Sequence, residues 1–188
     1  MSIMSLIRKL YYIALDLLET FVIAGAIFVV IYAFLFRLFL VNGDSMLPNF
    51  HNGEYIVTNL ITLRLNPLKR GDVVVFQAPP NLEKDYIKRV IGLPGDRIII
   101  KDGNIYLNGE LLDEKTYLAA DSKTYGEQFL RDGQEVTVPS NNYFVLGDNR
   151  RYSSDSRDWG FVSFDKIIGK SFIVAWPPTE IRIVSGMK

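Results

Sequence analysis

At 188 residues the chain suits one domain of moderate size, or a smaller domain with a membrane anchor. Lys plus Arg and Asp plus Glu both number 21, so no basic field marks it for nucleic acid. The absence of cysteine excludes a disulfide framework, a thiol nucleophile and thiolate metal sites, and a single histidine excludes a multi-histidine metal centre. No metal or other cofactor is expected.

Residues 1–20 read as a cytoplasmic or interfacial N-terminus, in which Leu6 to Leu18 either begin a helix early or lie in the headgroup region. From Phe21 to Phe36 no side chain is charged, and Leu38-Phe39-Leu40-Val41 continues the apolar run past Arg37. Residues 21–41 therefore reach the ~20 residues that a helix needs to cross a bilayer core. A cleavable leader would have a shorter apolar region followed by a small-x-small site, so an uncleaved anchor is expected. Arg8 and Lys9 precede the span and Arg37 closes it, which favours a cytoplasmic N-terminus by a narrow margin. No transit extension precedes the anchor, which points to a bacterial plasma membrane.

Directly after the anchor comes Gly43-Asp44-Ser45-Met46-Leu47-Pro48. Read alone, a serine beside Gly-Asp is a turn residue. As a nucleophile it would need a base, and His51 is the sole histidine. A lysine can serve if burial keeps it neutral. Lys88, in Asp85-Tyr86-Ile87-Lys88-Arg89-Val90-Ile91-Gly92-Leu93-Pro94-Gly95-Asp96, has apolar neighbours on both sides of its Lys-Arg pair. Strand alternation puts Lys88 and Arg89 on opposite faces, one inward and one toward solvent.

Short β-branched or aromatic runs divided by Gly, Pro and Asn occupy residues 42–101, including 53–58, 71–76, 86–91 and 97–101. Asp102-Gly103 and Asn108-Gly109 are hairpin signals, so Ile98 to Leu112 reads as a three-strand meander. Asp113 to Gln134 is loop-like. Residues 102–140 form a small β insert, and 141–188 return to the main domain through Tyr143–Leu146, Phe172–Trp176 and Ile181–Val184. The fold class is mainly β: an N-terminal transmembrane helix, then a mostly antiparallel β catalytic domain of residues 42–101 and 141–188. Aromatic residues make up 13% of the chain, which suggests an exposed apolar surface near the active site resting on the bilayer.

The segments around Ser45 and Lys88, with Gly147-Asp148-Asn149-Arg150 and Ser153-Ser154-Asp155-Ser156-Arg157, resemble the boxes of the type I signal peptidases, in order, from the anchor to about Trp176. The resemblance implies a membrane-bound serine endopeptidase that removes signal peptides from exported preproteins after small-x-small sites. Ser45 would be the nucleophile and Lys88 the neutral base, acting through an acyl-enzyme with a rate that rises toward alkaline pH. The resemblance further implies that Ser153 hydrogen-bonds the lysine amine, while Asp155 and Arg157 brace the site by ionic contacts. A carboxylate touching the amine would restore its charge, so Asp155 is expected not to contact Lys88. The Ser45 backbone N–H would hold the oxyanion. Some signal peptidases add a hydroxyl two positions before the nucleophile, where this chain has Gly43. Val41, Met46, Ile56, Tyr86 and Ile87 would line shallow pockets for small residues of an extended substrate. A catalytic domain on the outer face, contact with the lipid bilayer and a monomeric state complete this reading. Against it stand a self-cleaving Ser/Lys regulator, which would need a helix-turn-helix, a catalytically dead membrane-anchored adaptor, and a Ser45/His51 hydrolase.

Overall fold

The structure is a computed structural model and describes residues 3–61, 66–119 and 121–183. Two units are distinguished, Met1–Phe36 and Arg37–Lys188. The first is helix α1 (Ile3–Leu35), of 33 residues, whose span Ile3–Tyr32 has a mean hydropathy of 2.2 and leaves its described side chains exposed. At ~1.5 Å per residue such a helix is longer than the ~30 Å of a bilayer core. It is long and apolar enough to cross a membrane.

The helix stops earlier than the apolar run suggests. Where the sequence carried the anchor to Val41, Phe36–Leu40 instead forms strand β1, paired with β2 (Tyr55–Asn59). Backbone pairing decides this end. Val41 N–H donates to Glu54 O at 2.8 Å and Gly53 N–H to Val41 O at 2.9 Å, and Phe39 packs on a core cluster that contains Val41, Met46 and Phe50.

The second unit holds two antiparallel sheets. β3 (Val73–Ala78), β4 (Asn81–Gly92), β9 (Asn142–Leu146), β10 (Val162–Ser163) and β11 (Ile167–Trp176) join β1 and β2 in the order β1-β2-β11-β3-β4-β9-β10, and β12 (Arg182–Ile183) pairs with β11. β5 (Arg97–Lys101), β6 (Asn104–Leu107), β7 (Glu110–Leu111) and β8 (Glu135–Thr137) make the smaller sheet, in the order β7-β6-β5-β8. The expected meander is β5-β6-β7, turned at Asp102 and Asn108, both with positive φ. The sequence reading did not find β8, whose three residues are too few to show a period. Of the expected closing strand Ile181–Val184, β12 supplies Arg182–Ile183, and Val184 lies outside the described residues.

β3 is apolar on both sides because it is covered on both. Val74 and Phe76 enter one cluster with Val90, Tyr143 and Val145, while Val73 and Val75 enter the other with Met46, Ile56 and Val174. A third cluster, built on Ile91, Ile98, Ile105 and Phe144, joins the small sheet to β4 and β9. Apolar side chains are not all covered: the cross-strand partners Tyr55 and Trp176 are exposed, as are Leu38 and Ile183.

Gly92 sits where β4 shifts register against β9. A Cβ there would meet Ile98 Cδ1 at 2.5 Å and Phe144 Cβ at 3.0 Å. Gly92→Ala should destabilise the domain by roughly 1–3 kcal/mol, read as a lower urea midpoint.

Candidate active site

Ser45 lies in the turn that joins β1 to β2. The turn is held from within by Asn49 and Phe50 N–H groups on Met46 O, both at 3.0 Å. It is held from outside by Asn149, whose N–H donates to Ser45 O and whose Nδ2 donates to Asp44 O, each at 3.0 Å. The Ser45 N–H itself has no hydrogen-bond partner among the described residues. Met46 anchors the turn in the core, with 1% of its surface exposed.

Lys88 stands on β4 opposite Val74 and is 4% exposed. Its Nζ lies 2.6 Å from Ser45 Oγ and 5.4 Å from the centre of the Tyr86 ring. Desolvation lowers the pKa of this amine to about 8; the Asp155 and Asp148 carboxylates oppose that shift, and the Arg157 guanidinium adds to it.

Arg89 does face the other way, yet it does not reach solvent, contrary to the sequence expectation. It is 1% exposed. Asp148 takes its Nε at 2.8 Å and its Nη2 at 2.6 Å, Gly71 O takes Nη1 at 2.9 Å, and the guanidinium lies 4.3 Å over the Tyr117 ring. A buried guanidinium requires such a bidentate partner. Asn49 Nδ2 joins the same Asp148 carboxylate at 2.8 Å, which links this pair back to the Ser45 turn.

The segment after β9 is pinned by Asp155 and Arg157, the latter on the short helix α2 (Ser156–Trp159). Arg157 Nε donates to Asp155 Oδ1 at 2.8 Å and Nη2 to Oδ2 at 2.9 Å; Oδ2 also accepts the Gly147 N–H at 3.1 Å. With its oxygens so engaged, Asp155 makes no ion pair with Lys88 among the described residues. Ser153 differs from expectation. Its Oγ is buried and makes no hydrogen bond among the described residues, so the expected bond to the Lys88 amine is absent; that amine meets Ser45 instead. The Ser153 hydroxyl packs on Gly147, where an added Cβ would lie 2.2 Å from Ser153 Oγ and 2.4 Å from Ser45 O. Only glycine lets these groups converge.

The insert contributes to this arrangement. Glu114 accepts Arg150 Nη1 at 3.1 Å and Nη2 at 2.6 Å, and Arg150 Nε donates to Gly147 O at 3.0 Å. Tyr117 supplies the ring beneath Arg89 and a carbonyl for Asn49 Nδ2 at 2.7 Å. Sequence reading found no chemistry in this stretch, because neither residue stands in a local pattern.

A cleft of about 220 Å³ opens beside Ser45 and Lys88. Val41, Ile56, Tyr86 and Ile87 line it; Met46 does not, being enclosed in the core. Phe39, Asp85 and Ser154 also line it and were not foreseen. His51 is solvated, 3.4 Å from Glu54 Oε1. Among the described residues no group of three His, Cys, Asp or Glu side chains could hold a metal ion.

The model of the family described as signal peptidase, peptidase S26, matches residues 14–176. The chain belongs to this family. Signal peptidase I of Bacillus caldolyticus is 41% identical over 150 residues, 77% of this chain and 81% of that protein. Signal peptidase I S of Bacillus subtilis is 39% identical over 173 residues, 89% of this chain and 92% of that protein. A crystal structure of a signal peptidase I from Enterococcus faecalis is 32% identical, with a TM-score of 0.44, and covers 56% of this chain and 97% of its own. Family membership makes the chain a serine endopeptidase, a hydrolase.

Burying Lys88 has a thermodynamic cost. Its folded pKa of about 8 lies below the ~10.4 of an exposed lysine, so between these values the unfolded chain binds more protons and stability rises with pH. Below about pH 8 the whole penalty, on the order of 3 kcal/mol, is present. Lys88→Met should therefore melt at a higher temperature than the parent at neutral pH, with the gap closing as the pH is raised through that window.

Proposed function

We propose that the protein is a membrane-anchored signal peptidase that cuts exported preproteins after small-x-small sites, with Ser45 as nucleophile and Lys88 as general base. The observation that carries this reading is the 2.6 Å separation of Lys88 Nζ and Ser45 Oγ, with the amine buried and its pKa near 8. A sizeable fraction of such an amine is neutral at physiological pH, when an ordinary lysine is almost wholly charged.

Neutral Lys88 takes the Ser45 proton as Oγ forms its bond to the scissile carbonyl carbon. The tetrahedral oxyanion accepts the free Ser45 N–H. Gly43 offers no side-chain hydroxyl beside it, so any second donor is a backbone group or water. As the C–N bond breaks, Lys88 gives its proton to the leaving amine, which leaves an acyl-enzyme. Lys88 then takes a proton from a water as its oxygen bonds to the acyl carbon, and returns that proton to Ser45 Oγ as the acyl C–O bond breaks, which frees Ser45 and releases the new carboxylate. Ser153, whose buried hydroxyl has no partner among the described residues, adjoins the Ser45 carbonyl across Gly147 and can receive the lysine amine once Ser45 is acylated. Asp155 and Arg157 act by fixing Gly147 and the Ser153 loop.

The substrate lies extended in the cleft between the end of β1 and the Asp85–Lys88 stretch of β4, where β9 pairs only from Arg89 onward. That leaves main-chain groups on β4 for a peptide strand. Val41, Ile56 and Ile87 close the cleft to large side chains, which suits a preference for small residues. With α1 as the span, a cytoplasmic N-terminus and an outward catalytic unit place Ser45 where exported precursors emerge. Exposed Tyr55, Trp176 and Ile183 would rest on lipid.

Cleavage of a secretory precursor whose leader ends in Ala-x-Ala tests this reading. Wild type should cut after the second Ala, Ser45→Ala and Lys88→Ala should lose at least roughly a thousandfold in kcat/KM, and His51→Ala should keep its rate. Wild-type kcat/KM should climb with pH and level off near 8, as the amine is deprotonated. A folded Lys88→Ala that retains activity, or a profile flat across this range, would remove Lys88 as base.

A further inference from the structure

Beyond the Gly43–Pro48 turn from the cleft lies a second depression, of about 810 Å³, within the usual range of ligand sites. It shares no lining residue with the cleft around Lys88. Leu47 and Pro48, two and three residues past the nucleophile, form one wall, with Asn149 beside them. Asn149, which lines this depression, also holds Ser45 O and Asp44 O, so a single residue ties its wall to the nucleophile turn. Tyr125, Lys123 and Arg151, all exposed, are among the residues that line the rest of it.

We infer that this depression receives the first residues after the scissile bond, and that Arg151 and Lys123 make it favour an acidic side chain there. The inference rests on the peptidase reading above, which fills the cleft with residues before the scissile bond and requires the chain to leave past Ser45. Charge supplies the specificity. Two of the charged groups that line the depression are already neutralised, Asp148 by Arg89 and Arg150 by Glu114. Lys123 and Arg151 have no ion-pair partner among the described residues, while Asp121 is the single exposed carboxylate on the wall. The net field at the wall is positive. It stabilises a carboxylate on the departing segment and repels a lysine, and solvent exposure makes the effect modest and sensitive to salt. Tyr125 and Pro48 offer apolar surface for the stem of the same side chain.

The experiment compares peptides with an identical Ala-x-Ala leader and Asp, Ala or Lys at each of the first three positions after the scissile bond, cut by the full chain in non-ionic detergent. At one position at least, kcat/KM for Asp should exceed that for Lys by roughly tenfold at low ionic strength, chiefly through KM, and the ratio should shrink in high salt. Lys123→Glu with Arg151→Glu should invert the ratio. Because the ratio compares two substrates on one enzyme, it stays readable if the overall rate of the variant falls. Equal rates for Asp and Lys at all three positions would overturn the inference, as would a ratio unchanged in the double variant; cleavage of the Ala peptide would in both cases leave the peptidase reading standing. Failure of wild type to cut any of the peptides would remove that reading and this inference together.

Discussion

The desolvated amine of Lys88 is the constraint around which the catalytic unit is arranged. Keeping it from water requires apolar cover on both faces of β3 and β4, and keeping its pKa low requires the neighbouring carboxylates to be engaged elsewhere. Both nearby acids meet that condition through arginine. Asp155 is held by Arg157 and Asp148 by Arg89, each in a two-point contact, and neither makes an ion pair with the amine among the described residues. Without those arginines the carboxylates would pull the lysine pKa back toward its ordinary value.

The same arginines tie together segments far apart in the chain. Arg89 follows Lys88 on β4 and connects through Asp148 to Asn49 of the Ser45 turn. Arg150 connects Gly147 to Glu114 in the insert. The stretch between β7 and β8 is therefore part of the support of the site, although Glu114 and Tyr117 do not line the cleft. Ion pairs buried this deeply contribute positional accuracy, since losing either partner leaves an uncompensated charge in the core.

What could be read from the chain beforehand follows the range of each interaction. Turns at Asp102-Gly103 and Asn108-Gly109, the strands between them and the mainly β class depend on neighbours within a few residues, and the sequence displays those directly. The motifs around Ser45, Lys88, Gly147 and Ser153 led to the right family. The end of α1 was misplaced because Leu38-Phe39-Leu40-Val41 is equally apolar as helix or strand, and the choice was made by hydrogen bonds to Glu54 and Gly53. The solvent-facing role expected of Arg89 failed because alternation assigns a face and does not reveal that both faces are covered. Glu114 and Tyr117 left no trace, since their partners are remote. Met46 looked like a pocket residue from its place beside Ser45, whereas the turn directs it into the core.

Arg182 carries one more consequence. On β12, it donates Nη2 to Asn49 O at 2.6 Å and both terminal nitrogens to Glu54, which closes the base of the Ser45 turn across a separation of 133 residues. A chain emerging from the ribosome presents Ser45 early but cannot lock its turn until β11 and β12 have been made and paired. The order of synthesis thus sets an order of folding: the turn that carries Ser45 is made early, yet stays a loose loop until nearly all of the sheet that holds it has formed.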